Sequence, residues 1–530
     1  MATKAYSLRV AHGGEGDWAS RLSELLTASG RPGGGGEQLF AHLTQGIPTD
    51  EFLASVFEKQ PVHFSRGAGL VGQKRKASSS PPLFSRDELL AVVERHSLGA
   101  LNNMTLTKWA SGKRVDKQTT ASGGPLEKKE LQGAFKNGYT VQFYQPQRFV
   151  DGLWKINSSF EHVFGTLAGA SAYLTPAGKA QGLEPHHDDC EVFVLQTEGS
   201  KVWRLHLDKS AHLPDYYAKN LCADRLQSPV EVTLHSGDLL YLPRGIIHEA
   251  QTTDEFSTHV TISVYQHYSY KTLLNKLLPK LTSNLFKQSE EMRAGLPVRM
   301  QSLFGTCPPP PSAVAGEAEF VAQRRQEMLL RVKRLLAEVG RGGASERELE
   351  QLVDETADDL AADFVENRLP PPFESLSAGA GASASGGASG GRVKLIDAAL
   401  LHVQIEQDDE AGGGENSKEI ALYSAWGNDR KRHMGHPTEP GDDDDDDGDD
   451  GGGGSGSGSG SDDEEEDEED EEMHTARFPV HYAPLISALR AAPFIDEGKI
   501  YEAVAGMGIS RAQVSEAIAL LRERRLLCDA

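Results

Sequence analysis

Two stretches of this 530-residue chain carry the residue types that hold a transition metal. The first is Glu184-Pro185-His186-His187-Asp188-Asp189, which runs into the apolar stretch from Cys190 to Leu195. Residues i and i+2 of a strand point to one face, so a His-x-Asp pair offers one imidazole and one carboxylate to a single cation. The second, about sixty residues on, is Gly237-Asp238-Leu239-Leu240-Tyr241-Leu242-Pro243-Arg244-Gly245-Ile246-Ile247-His248. Its Gly-Asp turn starts a strand, Pro243 and Gly245 turn the chain sharply, and His248 opens the next strand. Two His and one carboxylate form a facial triad that leaves positions open on Fe(II) for a bidentate co-substrate and O2.

The His-x-Asp pattern occurs in two frames, His186/Asp188 and His187/Asp189. The first is favoured, because its same-face residues continue as Cys190, Val192, Val194 and Gln196, a small-to-apolar lining. The second brings Glu191 to that face.

These side chains need strands to aim them. Short β-rich runs recur between turn signals at Thr140 to Tyr144, Ala172 to Thr175, Glu191 to Gln196, Val202 to Leu205, Leu239 to Leu242 and His259 to Tyr265, the spacing of a sandwich or small barrel. The period then changes to helical. Leu273, Leu274, Leu277, Leu278 and Leu281 form one stripe, and Val321, Met328, Val332, Leu335 and Val339 a second. Ser345-x-x-Glu348 is a capping-box match that opens a third helix, which Pro370 stops. These stripes exceed what one three-helix unit buries, so a homodimer is expected. Near the end, Glu497 to Ala505, the turn Gly506-Met507-Gly508, and Ser510 to Arg525 read as helix-turn-helix.

The expected organisation is a flexible N-terminus at 1–38, a catalytic domain at 39–268, a helical domain at 269–372, and a Gly/Ala/Ser linker at 373–391. The C-terminal domain starts at 392–440, is interrupted by an acidic low-complexity insertion at 441–473, and resumes at 474–530.

Hydrophobic residues make up 38%, with Gly 55 and Pro 26, so part of the chain buries little and the core is concentrated elsewhere. The net charge of -24 is local: nineteen Asp or Glu and no Lys or Arg lie between Asp442 and Glu472, and the remainder carries -5. No global field therefore favours nucleic acid. From Thr475 to Ala530 there are 7 Arg or Lys against 6 Asp or Glu, so direct DNA binding by the helix-turn-helix is not expected. Cys190, Cys222, Cys307 and Cys528 include no Cys-x-x-Cys pair, which fits a reducing compartment without a thiolate zinc site. Met1 to Asp17 has no signal-peptide core, and no run approaches the ~20 apolar residues of a membrane span, so a soluble intracellular protein with no membrane partner is expected. Lys74-Arg75-Lys76 reads either as a solvated loop or as a nuclear import signal.

The blocks at 139–149 (Tyr-Thr-Val-Gln-Phe-Tyr-Gln-Pro-Gln-Arg-Phe), Tyr173 to Gly178, Pro185 to Leu205, Gly237 to His248 and Ser257 to Gln266 resemble the JmjC oxygenases, and among them the ribosomal oxygenase family. The resemblance covers roughly residues 40 to 370 and, more loosely, the last ~55. It implies a mainly β catalytic domain of double-stranded β-helix (cupin/JmjC) type, then an all-α helical dimerisation domain and a small winged-helix domain. Fe(II), 2-oxoglutarate as co-substrate and O2 are implied with it.

Carried over residue by residue, the family's metal ligands fall on His186, Asp188 and His248, and its 2-oxoglutarate contacts on Lys201 and Tyr173, with Thr261 beside them. Gln142 and Ser263 match substrate-side positions. By its place in Glu198-Gly199-Ser200-Lys201 alone, Lys201 reads as a surface hairpin lysine; the resemblance reassigns its ammonium to the distal carboxylate of 2-oxoglutarate. The chain departs from the family at His187, usually Tyr, which puts a spare imidazole near the mouth as a possible fourth ligand, and at Ser171, usually Asn.

The activity implied is hydroxylation of a histidine in a ribosomal protein, coupled to conversion of 2-oxoglutarate to succinate and CO2. It is favoured because the blocks are those of ribosomal oxygenases and no histone-reading zinc finger or aromatic-rich reader module is visible. Histone lysine demethylation through N-methyl hydroxylation is the second reading. A non-enzymatic nuclear binding protein is the third. The implied place is the nucleus and its nucleolus, where the acidic tract either engages basic ribosomal proteins or histones or acts as a solubilising linker.

Overall fold

The computed structural model describes residues 6–12, 18–28, 36–66, 83–96, 98–99, 103–117, 126–207, 212–214, 216–219, 221, 229–264, 268–297, 317–340, 346–370, 392–396, 400–407, 418–428, 475–491 and 495–529. The Lys74 cluster, Ser345, the 373–391 linker and the 441–473 acidic tract lie outside them. The chain divides into two units, one of Met1–His267 with Ala362–Ala530, the other of Tyr268–Ala361. Among the described residues no helix is long and apolar enough to cross a membrane.

In chain order the first unit contributes strands β1 (Arg9–His12), β2 (Val62–Ser65), β3 (Met104–Ala110), β4 (Lys113–Asp116), β5 (Thr140–Tyr144), β6 (Ala168–Thr175), β7 (Glu191–Glu198), β8 (Ser200–His206), β9 (Val230–His235), β10 (Leu239–Leu242), β11 (Ile247–Thr252) and β12 (Ser257–Val264). They form a nine-stranded sheet, β1-β2-β10-β7-β12-β6-β5-β3-β4, and a three-stranded sheet, β11-β8-β9. Strand alternation divides the work. Phe193, Leu195, Ile262 and Val264 face the helices, packing with Leu39, Phe40 and Phe160. Val192 and Val194, on the other face, pack with Trp203, Leu205, Val232, Leu234, Leu240 and Leu242, which joins the two sheets. The polar residues of that inner face, among them Tyr173, Thr175, His259, Thr261 and Ser263, therefore sit on the same side as the lining of β7. Every run expected as a strand between Thr140 and Val264 is one.

Residues 6–12 and 18–28 depart from the flexible N-terminus expected at 1–38. β1 pairs in parallel with β2 at the sheet edge, and Tyr6, Leu22 and Leu25 are buried. Burial of those side chains offsets the entropy of ordering the segment.

The helical unit contains Tyr270–Gln288, Glu290–Arg293, Glu317–Gly340 and the start of Glu346–Asn367. Its core is small: Leu277, Leu281, Leu285, Val339 and Leu352. It ends at Ala361 rather than 372, because the residues beyond join the first unit. Val365 packs with Val393, Leu395 and Leu401, and Arg368 pairs with Glu161 at 2.5 Å, both fully buried. Burial pushes the Glu161 carboxyl up, against the pull of Arg368. Arg368→Ala would strand that carboxylate, so it should cost about 3–5 kcal/mol and lower the melting midpoint, read by calorimetry. An unchanged midpoint would show the pair to be dispensable.

At the C-terminal end β13 (Arg392–Leu395) lies between β17 (Ile495–Asp496) and β18 (Leu527–Asp529), and β15 (Lys418–Ser424) between β14 (Leu401–Gln407) and β16 (Thr475–Pro479). Helices Ala483–Ala491, Glu497–Ala503 and Arg511–Glu523 close one core that runs from Val393 and Leu422 to Leu485, Ile518 and Leu521. Residues 392–426 and 475–529 thus share a hydrophobic core.

Candidate metal centre

His186 and His248 are joined as a two-residue antiparallel bridge, each N–H donating to the other's carbonyl, at 3.1 and 2.8 Å. The bridge sets the rings 4.4 Å apart. Each ring is fixed a second time. His186 Nδ1 donates to the Glu184 carbonyl at 2.7 Å, and His248 Nδ1 to the Ile246 carbonyl at 2.9 Å. A carbonyl only accepts, so both Nδ1 atoms carry a proton, and Nε2 is the nitrogen each neutral ring would offer a metal. Burial, then His186, pushes His248 down to about 4, so it is neutral near neutrality.

Asp188 completes the group, with Oδ2 3.6 Å from His248 Nε2. One ligand atom from each of His186, Asp188 and His248 lies within 4.8 Å of the others. The Gly245 amide donates to the Asp188 carbonyl at 3.0 Å. Gly245 has φ +88, a conformation that favours glycine in the Pro-Arg-Gly turn. Two imidazoles whose Nδ1 atoms are tied to carbonyls and one carboxylate suit Fe(II) or a similar divalent ion.

His187 and Asp189 do not join the group. The His187 main chain bridges Ala218 instead, and its ring lies edge-on to Tyr216 at 5.4 Å. The His186/Asp188 frame is the one that converges. His187→Tyr should therefore keep metal stoichiometry and activity; loss of either would make His187 a fourth ligand.

Lys201 is not on the surface. It is 4% exposed, its Nζ donates to Thr175 Oγ1 at 3.1 Å, and among the described residues no carboxylate pairs with it. Burial pushes it down to about 7. The turn before it requires Gly199, whose φ is +65 and whose Cβ would overlap the Phe256 carbonyl. Tyr173 stacks on His259 at 4.9 Å and accepts a hydrogen bond from Gln142 Nε2 at 3.1 Å. Burial raises the Tyr173 phenol, so it stays protonated. Trp203 lies 5.7 Å from His248 and 5.3 Å from His259, linking the triad to the lysine side. Thr261 is opposite Ser171 and Val194, and Ser263, opposite Val192, is hydrogen-bonded to Cys190.

Thr175, His259 and Trp203 were not singled out in the sequence. Each is two residues along a strand from one that was, or from its partner on the same face: Tyr173, Thr261 and Lys201. Stepping by two from those positions would have found them.

A family model described as JmjC domain matches residues 142–273. Over 406 residues the chain is 32% identical to Ribosomal oxygenase 2 of Rattus norvegicus, covering 74% of this chain and 78% of that one. The chain belongs to the ribosomal oxygenase family. It is 38% identical over 311 residues to Ribosomal oxygenase 2 of Bos taurus, covering 57% of this chain and 60% of that one. It is 29% identical over 340 residues to the Bifunctional lysine-specific demethylase and histidyl-hydroxylase NO66 of Aedes aegypti, covering 63% and 49%. The chain thus spans only about half to three-fifths of those last two relatives' length.

Proposed function

We propose that the protein is an Fe(II)- and 2-oxoglutarate-dependent oxygenase that hydroxylates a histidine side chain of a ribosomal protein. The carrying observation is the pairing of a pinned His186/Asp188/His248 group with Lys201, a buried ammonium that lacks a carboxylate partner among the described residues. Iron and 2-oxoglutarate, when bound, would supply O2 activation and insertion of one oxygen into a C–H bond, with release of succinate and CO2.

The protein's own work is positioning. His186 and His248 would offer Nε2 to the metal, their Nδ1 atoms being held by carbonyls, and Asp188 would add a carboxylate oxygen. Lys201, steadied by Thr175, offers two further N–H donors to the co-substrate carboxylate farther from the metal. Tyr173 would add an O–H donor, held in place by Gln142 and His259. Trp203 and the Tyr173–His259 stack would limit water between the metal and lysine sides. Gln142 and Ser263 are read as substrate-side groups, with Thr261 beside the co-substrate.

Histone lysine demethylation is the second reading, favoured by the name of the mosquito relative. Formaldehyde release from methylated histone peptides, set against oxygen gain by ribosomal proteins under the same conditions, separates the two. Formaldehyde without oxygen gain would overturn the histidyl reading.

Three further readings go with it. The C-terminal helices and the β17-β13-β18 sheet are taken as a winged helix used for protein contact or structure rather than DNA. From that substrate class we infer a location in the nucleus and nucleolus. Finally, Phe320, Leu329, Leu330, Val332 and Leu336 on helix Glu317–Gly340 are all exposed, which supports a homodimer through the helical unit. Light scattering should return the mass of two 57.4 kDa chains, and Leu330→Glu with Leu336→Glu that of one. A monomeric wild type at ~10 μM, well above the affinity of a stable interface, would count against the dimer.

A further inference from the structure

We propose that Glu191 is a positioning residue for the metal centre, acting through Arg244 on the turn that carries His248. The inference rests on the metal reading above and concerns side chains that lie outside the ligand group. Glu191 is fully buried in β7, three residues after Asp188 and on the opposite face from Val192. One of its oxygens accepts the Tyr241 hydroxyl, and the other accepts the Arg244 backbone N–H at 3.3 Å. The Arg244 guanidinium approaches that second oxygen to 3.6 Å and pairs with Glu58 at 2.5 Å. Glu58 closes the ring by donating its backbone N–H to the Tyr241 oxygen at 2.8 Å, from a backbone φ of +56 that non-glycine residues rarely adopt.

The turn from Pro243 to Ile246 is where this ring meets the ligands. Its Arg244 amide is held by Glu191, its Gly245 amide holds the Asp188 carbonyl, and its Ile246 carbonyl holds the His248 ring. Glu191 and Asp188 thus tie adjacent amides of one turn to one stretch of chain, so the separation of Asp188 and His248 depends on both ties. A buried Arg–Glu pair seldom adds net stability over apolar side chains of the same size. What it adds here is direction: charge, fork and carboxylate fix one orientation of the turn. Groups hydrogen-bonded directly to a ligand typically carry a ~10–100-fold effect on metal affinity. Glu191, acting one step further out through the Arg244 amide, should fall at or below the low end of that range.

Glu191→Gln keeps the size and one acceptor oxygen while turning the other into an N–H donor and removing the charge, and Arg244→Lys keeps the charge while removing the fork. Co(II) titration of the full-length chain, followed by the visible spectrum, reads the site without turnover. Both variants should remain folded, with a melting midpoint lowered by the altered pair, and should bind Co(II) up to ~10-fold more weakly and alter its spectrum. In the metal-free chain the Gly245 amide should exchange faster. Wild-type affinity and spectrum in both variants would overturn the proposal, leaving Glu191 a structural residue. If wild type itself bound no Co(II), the metal reading would fall and this one with it, so the two failures are distinguishable.

Discussion

His248→Ala should abolish both metal binding and succinate release. The loss must exceed the ~10–100-fold typical of removing a ligand's hydrogen-bonding partner, because here a ligand itself goes. His248 also donates the 2.8 Å backbone bond to His186, which alanine keeps, so the bridge should survive and the effect be confined to the missing Nε2. Metal content by emission spectroscopy and succinate release by chromatography check it. Full turnover by this variant would remove the triad from the mechanism.

The second large effect falls on Lys201. On the proposed function its ammonium would meet a carboxylate in both ground and transition states, so Lys201→Ala should raise the KM for 2-oxoglutarate with little change in kcat. Leaving that carboxylate unpaired in a buried site costs on the order of 2–5 kcal/mol, or roughly 30-fold to several thousand-fold. Lys201→Arg should recover part of it, since charge is kept but the wider fork must fit where a point charge sat.

The pH dependence has a definite sign. Burial holds Lys201 at about 7 in the ligand-free protein, and an incoming carboxylate favours its charged form. Above pH 7 binding must therefore take up a proton, and affinity should fall up to about tenfold per pH unit, levelling off below 7. The same depression costs stability: the penalty grows as pH falls from the free-lysine value near 10.4 to about 7 and is then constant. Lys201→Met should accordingly stabilise the ligand-free protein below pH 10 while losing the co-substrate response. Titration calorimetry in two buffers of different ionisation enthalpy measures the proton uptake; its absence above pH 7 would show Lys201 already charged before the co-substrate binds.

The His186/Asp188/His248 cluster was legible from its residue types and from Gly237, Pro243 and Gly245, which mark where His248 re-enters. Strand alternation is not what aims it: β7 begins only at Glu191, and His186 is held by an isolated bridge to His248. Lys201 was not legible on those terms, since its burial depends on β8 pairing with β9 and β11 and on Thr175 from β6. Only resemblance put it inside. The Glu58–Arg244 and Glu161–Arg368 pairs each join residues far apart in the chain, with no periodic signal between them. The same applies to β1, whose pairing with β2 closes a long stretch of chain that the sequence gives no reason to close.

The central claim is that the site adds oxygen to a histidine of a ribosomal protein. Basic ribosomal proteins incubated with the enzyme, Fe(II) and 2-oxoglutarate, then weighed intact and mapped by fragmentation, test it directly. One protein should gain the mass of a single oxygen atom, localised to the β-carbon of one histidine, and His248→Ala should give none. Oxygen on another residue type, or loss of lysine methyl groups with no histidine gain, would contradict it.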